Sequence, residues 1–431
     1  MSALPSCSIA KQESPQEKTE PAEKPETQKD PKPAAPDAKP ASEQDEKPKA
    51  DKKDKSTEST TKASAGDWPL FRGNSKSTGV AKSKLPDKLD ILWKHEVKKG
   101  AFESAPVVIE SDGKRTVYIG DLDGTLLALD LETGKPAWKF KSASVRESEA
   151  KGKSHGGIGF ETAAAYRNGR FYIGDIDGIF YCFDSSGKEL WQFKTESGGV
   201  IHSSANFHKD LVLFGSEDSK LYALNAKTGK KAWELETGDQ VRCSMTVVDG
   251  RAIVAGCDGS LHTINLDEGK EESSVVIESP TGVTPAVVGD TAFVGSEQAG
   301  FFAIDWKKAE IKWHFNPENS VVTRSSPAVN KDHVVFGSRG RVVYSLDPKT
   351  GDLNWSTTLK SNIDSSPVIA GDRVFVGSND GRLYGINLKN GDVIWQKQLQ
   401  GGIIGSPAVA FNRLIIATDG GVVYCLGTNE K

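Results

Sequence analysis

A single phrase recurs eight times down this chain, and a recurrence that regular allows only stacked, similar units. Two apolar residues run into a small residue, then an Asp/Gly-rich turn, then an apolar strand, closed in most copies by Asp or Asn. The copies are YIGDLDGTLLALD from Tyr118, YIGDIDGIFYCFD from Tyr172, LFGSEDSKLYALN from Leu213, IVAGCDGSLHTIN from Ile253, FVGSEQAGFFAID from Phe293, VFGSRGRVVYSLD from Val335, FVGSNDGRLYGIN from Phe375 and IIATDGGVVYCLG from Ile415. Most are spaced by 40 to 42 residues. A fixed period of that length marks repeated supersecondary units rather than one irregular core.

Each copy reads as strand, tight turn, strand. Asp, Asn and Gly tolerate the backbone of a hairpin turn, and the flanking Val, Ile, Phe and Tyr suit pleated, half-buried strands. A second signal follows most copies: Asp or Asn, then Gly four residues on, then Trp four further, as in Asp130–Gly134–Trp138, Asp347–Gly351–Trp355 and Asn387–Gly391–Trp395. A third precedes them: small residues and Pro at Ser104, Ser325, Ser365 and Gly405, fit for a crowded innermost strand. Four strands per 40-residue repeat make a propeller blade. The chain is therefore predicted to be all-β, an eight-bladed β-propeller of four-stranded antiparallel blades. The outer strands fall at Trp93, Trp138, Trp191, Trp233, a Trp-less slot near Ser273, Trp313, Trp355 and Trp395. The first of these, 91–97, precedes the first inner strand, so an N-terminal strand should complete the last blade and leave no open sheet edge.

The Ala-x-Asp-x-x-x-Gly-x-x-x-Trp pattern resembles the tryptophan-docking motif of the PQQ-type (quinoprotein) eight-bladed propellers. It is similar also to the BamB-like outer-membrane assembly lipoproteins, which share the propeller without the quinone. The lead-in Asp67-Trp68-Pro69-Leu70-Phe71-Arg72-Gly73 resembles that of bacterial PQQ-like repeat proteins. The resemblance covers roughly 67–427. It implies that Trp93, Trp138, Trp191, Trp233, Trp313, Trp355 and Trp395 dock between blades. Ser273 in place of Trp, and Ala255 and Ala417 in place of Gly, depart from the pattern.

The first 66 residues are different material. From Lys11 to Gly66 there is no Val, Leu, Ile, Phe, Met, Tyr or Trp. Such a segment cannot bury enough apolar surface to offset its ordering entropy. It is expected to be a disordered Pro/Lys/Glu-rich tether over 1–66, followed by the propeller over 67–431. As a coil it would span roughly 40 Å. Leu4-Pro5-Ser6-Cys7 is a rough match to a lipobox, which makes Cys7 a candidate for lipidation if a signal lies upstream; the alternative is an ordinary Cys in a soluble tail. Net charge is −4, which gives no basic footprint for nucleic acid. Cys182 and Cys425 on third strands read as inert small hydrophobes. Cys243 and Cys257 are candidates for a disulfide or for two free thiols.

Aligning the residue before each inner strand gives Glu103, Glu161, His202, Arg242, Gly282, Arg324, Asp364 and Ile404 around the mouth of the central channel. Asp364, Glu103 and Glu161 fall on one side, and His202, Arg242 and Arg324 on the other. The mouth is thus expected to be polarised, able to hold an anion at the arginines or a partner, unless the charges pair with one another. Between Gly120 and Gly174 the period rises to 54. The excess lies in 141–160 and carries Arg146, Lys153 and His155, candidates for an interaction loop. The Asp-x-Asp-Gly turns at Asp121 and Asp175 lack the remaining ligands of a calcium loop. No metal site and no catalytic residue is expected.

These observations favour a non-enzymatic cell-envelope scaffold for protein partners, monomeric, in the bacterial periplasm or at the outer membrane, and held to the membrane only by a lipid anchor if Cys7 carries one. No cofactor is expected. The alternatives are a small-ligand or PQQ-binding propeller, with calcium beside the quinone, and a quinoprotein dehydrogenase.

Overall fold

The computed structural model describes residues 66–98, 100–153, 159–316 and 322–428. Their strands form eight four-stranded sheets, each antiparallel throughout. Blade 1 uses Val107–Ser111, Lys114–Gly120, Thr125–Asp130 and Pro136–Lys141, from the inside outwards, and blades 2 to 7 repeat that order. Blade 8 has three strands of its own, Ala408–Ala410, Arg413–Thr418 and Val422–Gly427. Its fourth is the N-terminal strand β1 (Asp90–Glu96), in register from Asp90 opposite Gly427 to Glu96 opposite Val422. The ring is closed as expected. Second strands are buried almost throughout, as in Arg373–Gly377, because both faces meet a neighbouring blade; outer strands such as Glu189–Lys194 alternate with solvent.

The outer-strand tryptophans tie successive blades. Indole Nε1 donates to the next blade's backbone carbonyl from Trp93 to Leu131 (2.7 Å), Trp138 to Ser185 (3.1 Å), Trp191 to Ala226 (3.3 Å), Trp233 to Leu266 (3.2 Å), Trp313 to Pro348 (3.1 Å) and Trp355 to Leu388 (2.8 Å). Each ring also lies on the turn glycine of that next blade: Gly134, Gly187, Gly229, Gly269, Gly351 and Gly391 in turn. Trp395 differs because blade 8 has no third-to-fourth-strand turn to receive it; its ring meets Phe375 at 66°, centroids 6.4 Å apart. The Trp-less slot is filled from the other side. Trp306, in the blade 5 turn, is buried in the same core cluster as Val247, Ile264 and Leu266 of blade 4. Its carbonyl accepts from Thr263 Oγ1 (3.4 Å). With Ser273 opposite, the turn no longer needs Gly, and Ala309 stands there.

The lead-in forms a strap along the free edges of the inner strands. Trp68 and Val108 exchange both backbone hydrogen bonds, 2.8 and 3.0 Å. The strap carbonyls then accept in chain order: Pro69 from Tyr166 N, Ser75 from Val247 N, Lys76 from Val287 N, Thr78 from Val329 N and Gly79 from Ile369 N. Blade 3 joins through Asn206 Nδ2, which donates to Ser75 O (2.9 Å). Inner-strand edges that would otherwise be unpaired are thereby satisfied in blades 1 to 7. Arg72 pins the strap. It is only 1 % exposed, and its guanidinium donates to the carbonyls of Ser366 (3.3 Å), Pro327 (3.1 Å) and Pro367. Burial pushes its pKa down to about 9, so the group stays charged at neutral pH.

The insertion between blades 1 and 2 contains a helix, α1 (Ala143–Ala150), capped by Ser142 Oγ on Val145 N. Arg146 is committed to the blade, paired with Glu189 at 2.9 Å and lying over the Phe140 ring. Lys153 is exposed, and His155 lies outside the described residues. The expected tether and Cys7 lie outside them too. No helix among the described residues is long and apolar enough to cross a membrane.

Of the two alternatives for Cys243 and Cys257, a bond between them is not formed. Cys243 is a free, buried thiol, pushed up to about 12 by burial. The register explains it: Cys257 N donates to the carbonyl of Gln240, three residues short of Cys243, whose side chain sits in the core with Val241 and Met245. Cys182 and Cys425 are free and buried, their thiols likewise pushed up to about 12.

Candidate functional site

One backbone hydrogen bond, repeated in every blade, builds the channel mouth. The second residue of each second-to-third-strand turn donates its N–H to the carbonyl two residues before the aligned mouth position. The pairs are Leu122 to Ala101, Ile176 to Gly159, Glu217 to Val200, Cys257 to Gln240, Glu297 to Pro280, Arg339 to Val322, Asn379 to Asn362 and Asp419 to Gly402. Two rings of side chains therefore stack at the mouth, an entry ring and a turn ring. All eight entry-ring positions, Glu103, Glu161, His202, Arg242, Gly282, Arg324, Asp364 and Ile404, line one cavity of about 760 Å³. The turn ring adds Leu122, Glu297, Arg339, Asn379 and Asp419 to the same lining.

The turn ring decides between a polarised mouth and one whose charges pair: they pair. Arg242 Nη2 is 2.8 Å from Glu217 Oε1, Arg324 Nε is 3.6 Å from Glu297 Oε1, and Arg339 Nε is 2.7 Å from Asp364 Oδ1. In each case an entry-ring residue meets the turn-ring residue of the preceding blade. Arg339 Nη2 also donates to Asp364 Oδ2 (3.0 Å), as does Asn379 Nδ2 (2.8 Å). His202 is held between Glu161 (Nδ1, 2.8 Å) and Glu217 (Nε2, 3.1 Å). Burial works against its charged form, but the bonds to the two carboxylates outweigh burial and hold its pKa up at about 9. The imidazole is thus a cation at neutral pH, and opposite charges meet at the seams of blades 2 and 3, 3 and 4, 5 and 6, and 6 and 7. By the same register Glu103 falls opposite Asp419, two carboxylates at the seam of blades 8 and 1.

Sequence alignment of the entry ring missed Glu217, Glu297, Arg339 and Asn379. Their signal was present: each stands two residues after the glycine that ends a second strand.

Deeper in, a belt of hydroxyls joins the blades. Backbone N–H groups of Ala163, Ser204, Ser244, Thr284, Ser326 and Ser366 donate to the hydroxyl oxygens of Ser204, Ser244, Thr284, Ser326, Ser366 and Ser406, at 2.9 to 3.2 Å. The strap residue Phe71 also lines the cavity.

The Asp turns of blades 1 and 2 are hairpin devices that differ in one contact. Asp121 Oδ1 accepts from the N–H groups of Asp123 (3.0 Å) and Thr125 (2.7 Å). In blade 2, Asp175 Oδ2 also accepts from Tyr181 Oη (2.7 Å). Blade 1 has Leu127 at that position, and Asp121 Oδ2 is buried with no partner among the described residues. Burial lifts the pKa of Asp121 from 3.8 to about 6, against the pull of its turn N–H donors. An acid raised on folding favours the fold below its unfolded pKa and loses that contribution as pH rises to the folded value. Ionising Asp121 should cost roughly 3 kcal/mol above pH 6. Asp121→Ser, the residue at Ser216 and Ser296, should raise the melting temperature relative to the parent more at pH 7.5 than at pH 4. An equal difference at both pH values would contradict this.

PQQ with calcium would need free carboxylates at the mouth. Glu161 and Glu217 are engaged with His202, and Asp364 with Arg339 and Asn379. No group of three or more His, Cys, Asp or Glu among the described residues is placed to hold a metal ion. These residues do not fit a calcium-supported quinone, and no step is derived through one.

The family model described as outer membrane protein assembly factor BamB matches this sequence over 87–314, 240–366 and 318–430, which together take in every blade. The chain belongs to the BamB family. The BamB of Burkholderia pseudomallei is 26% identical over 281 residues, 61% of this chain and 68% of that protein. The BamB of Nitrosomonas eutropha is 30% identical over 173 residues, 39% of this chain and 38% of that protein. With the second of these, the chain matches less than two thirds of its relative's length. Among solved structures, the quinohemoprotein alcohol dehydrogenase of Comamonas testosteroni superposes with a TM-score of 0.70 at 15% identity, covering 85% of this chain and 81% of that one. At that identity the likeness concerns the propeller fold alone.

Proposed function

We propose that this chain is a non-enzymatic propeller that serves outer-membrane protein assembly from the periplasmic side, presenting its channel mouth and the loops around it to protein partners. The observation that carries the reading is the match to the assembly-factor family across all eight blades. The mouth supports it. Several of its ionisable side chains pair between neighbouring blades, which lays out a patterned charged surface of the kind that partner recognition uses. Partner binding on loops held by a rigid scaffold is a common division of labour. In this reading residues 1–66 act as the spacer between propeller and membrane, with Cys7 as its attachment point.

Deleting the gene in its own bacterium should lower the amount of folded β-barrel protein in the outer membrane several-fold. The wild-type chain should restore it without added PQQ. Unchanged barrel levels would refute the reading, and restoration that depends on PQQ would favour the quinoprotein alternative.

A further inference from the structure

The end of the ring opposite the mouth carries an uneven charge. Antiparallel blades place their first-to-second-strand and third-to-fourth-strand turns at that end. In blade 2 these turns hold Arg167, Arg170 and Lys188, and in blade 3 Lys209 and Lys230. The same turns of blade 4 hold Asp249, Asp267 and Glu268 against Arg251 and Lys270. Arg170 Nη1 donates to the backbone carbonyl of Lys227 (2.9 Å), and the Arg167 guanidinium lies 5.4 Å from the centroid of the Phe207 ring. The cations of blade 2 thus rest on blade 3 and form one patch with those of blade 3. Lys209 is paired with Asp267 at 2.6 Å. Among the described residues no carboxylate lies within ion-pair distance of Arg167, Arg170, Lys188 or Lys230. The nearest acid in sequence, Asp184, is spent on its own turn, where Oδ1 accepts from Ser186 N (2.9 Å) and Lys188 N (3.1 Å). Leu190, 40 % exposed, stands two residues past Lys188.

We propose that this patch rests on a bilayer surface that carries anionic phospholipid headgroups. Headgroup phosphates accept from guanidinium and ammonium groups, and each basic residue held near such a surface adds to the attraction. The patch is spread over turns of two blades, which fits a surface of many headgroups better than a single anion. Leu190 supplies an apolar side chain for the boundary between headgroups and acyl chains. The course of the chain names the bilayer as the occupant. The described chain begins at this same end, where Gly66 lies against the ring of Phe411 in the first-to-second-strand turn of blade 8. A spacer running from Gly66 to a membrane draws this end toward the bilayer and turns the mouth away from it, toward protein partners. One acyl chain holds a protein only weakly, and a polybasic patch is a common second contact. The inference deepens the reading of residues 1–66 as a spacer and rests on it for the direction of the contact.

The test is co-sedimentation of the full, unlipidated chain with two kinds of vesicle, at low and at high salt. One is phosphatidylcholine alone, and the other contains about one third phosphatidylglycerol. The expected result is binding to the anionic vesicles alone, abolished by high salt. It should weaken by about tenfold or more in Arg167→Glu/Lys188→Glu/Lys230→Glu. A matched variant at the same end of blades 6 and 7, Lys331→Glu/Lys349→Glu/Lys389→Glu, makes the same change in net charge. It should bind within about threefold of the parent, because screening keeps the attraction local. Thermal melts confirm that both variants are folded. No binding to anionic vesicles, binding indifferent to salt, an equal loss in the matched variant, or undiminished binding by the patch variant would each overturn the proposal. Capture of poly-glutamate without capture of vesicles would overturn it too, and would assign the patch to an acidic peptide. Barrel levels in the deletion strain read the scaffold function separately. A chain that restores barrels without binding vesicles loses this inference alone, and one that binds vesicles without restoring barrels loses the scaffold reading alone.

Discussion

Gly391→Ala should lower the stability of the propeller by about 2–4 kcal/mol, through backbone strain and overpacking together. The position has φ of +79°, and an added Cβ would sit 2.7 Å from the Trp355 ring. The ring cannot retreat without giving up its 2.8 Å hydrogen bond to Leu388 O and its place in the core between blades 6 and 7. Urea unfolding of the variant measures the loss. The contrast is Ala309→Gly. Ala309 occupies the equivalent turn of blade 5 at φ of +56°, with Ser273 rather than Trp on the preceding blade. That substitution relieves strain and displaces no ring, so its effect should stay within about 1 kcal/mol, in the stabilising direction. A cost at Ala309→Gly equal to that at Gly391→Ala would show that the Trp–Gly contact is not what holds the blades together.

Arg72→Ala should cost about 3 kcal/mol, because buried carbonyls of Pro327, Ser366 and Pro367 lose a charged donor and water cannot easily replace it. Those acceptors belong to blades 6 and 7, so the loss should loosen the strap from the ring rather than one blade from another. Limited proteolysis should then cut within 67–81, where the parent resists. Arg72→Lys should rescue little, since an ammonium is a single point of charge and cannot span the acceptors of a fork. A variant as stable and as protease-resistant as the parent would mean that the backbone bonds from Trp68 to Gly79 hold the strap unaided.

The architecture was legible because its determinants are local and repeated. Period, turn chemistry and the Trp spacing each specify a blade, and the spare strand before the first inner strand specifies how the ring closes. The entry ring was legible for the same reason, since one aligned position per repeat maps to one height in the channel. The charge balance was not, because it depends on a second position, two residues past the strand-ending glycine, that touches the first only across a blade seam. The eight turn-to-entry backbone bonds fix the two heights within each blade, whereas the packing of one blade on the next decides which charges meet. The compensation at the Trp-less slot was half visible: Ser273 stood out as a departure, whereas Trp306 and Ala309 acquire meaning only when blade 5 is laid against blade 4. The strap was visible as a lead-in but not as a partner for seven inner strands, because its contacts are backbone carbonyls that carry no side-chain signal. Which of the two readings of Cys243 and Cys257 holds depended on register: Cys257 N meets Gln240, three residues from Cys243 along the loop that enters the inner strand.

As a partner-binding face, the charged mouth should lose its function when its charges are reversed. The most direct measurement is the level of folded barrel protein in the outer membrane of a deletion strain complemented with Glu217→Lys/Glu297→Lys. That variant reverses two turn-ring charges and leaves the Trp docking and the strap untouched. The account predicts a folded propeller that fails to restore barrel levels, while a charge reversal on the outer rim, Glu310→Lys, restores them fully. Full restoration by the mouth variant would contradict it.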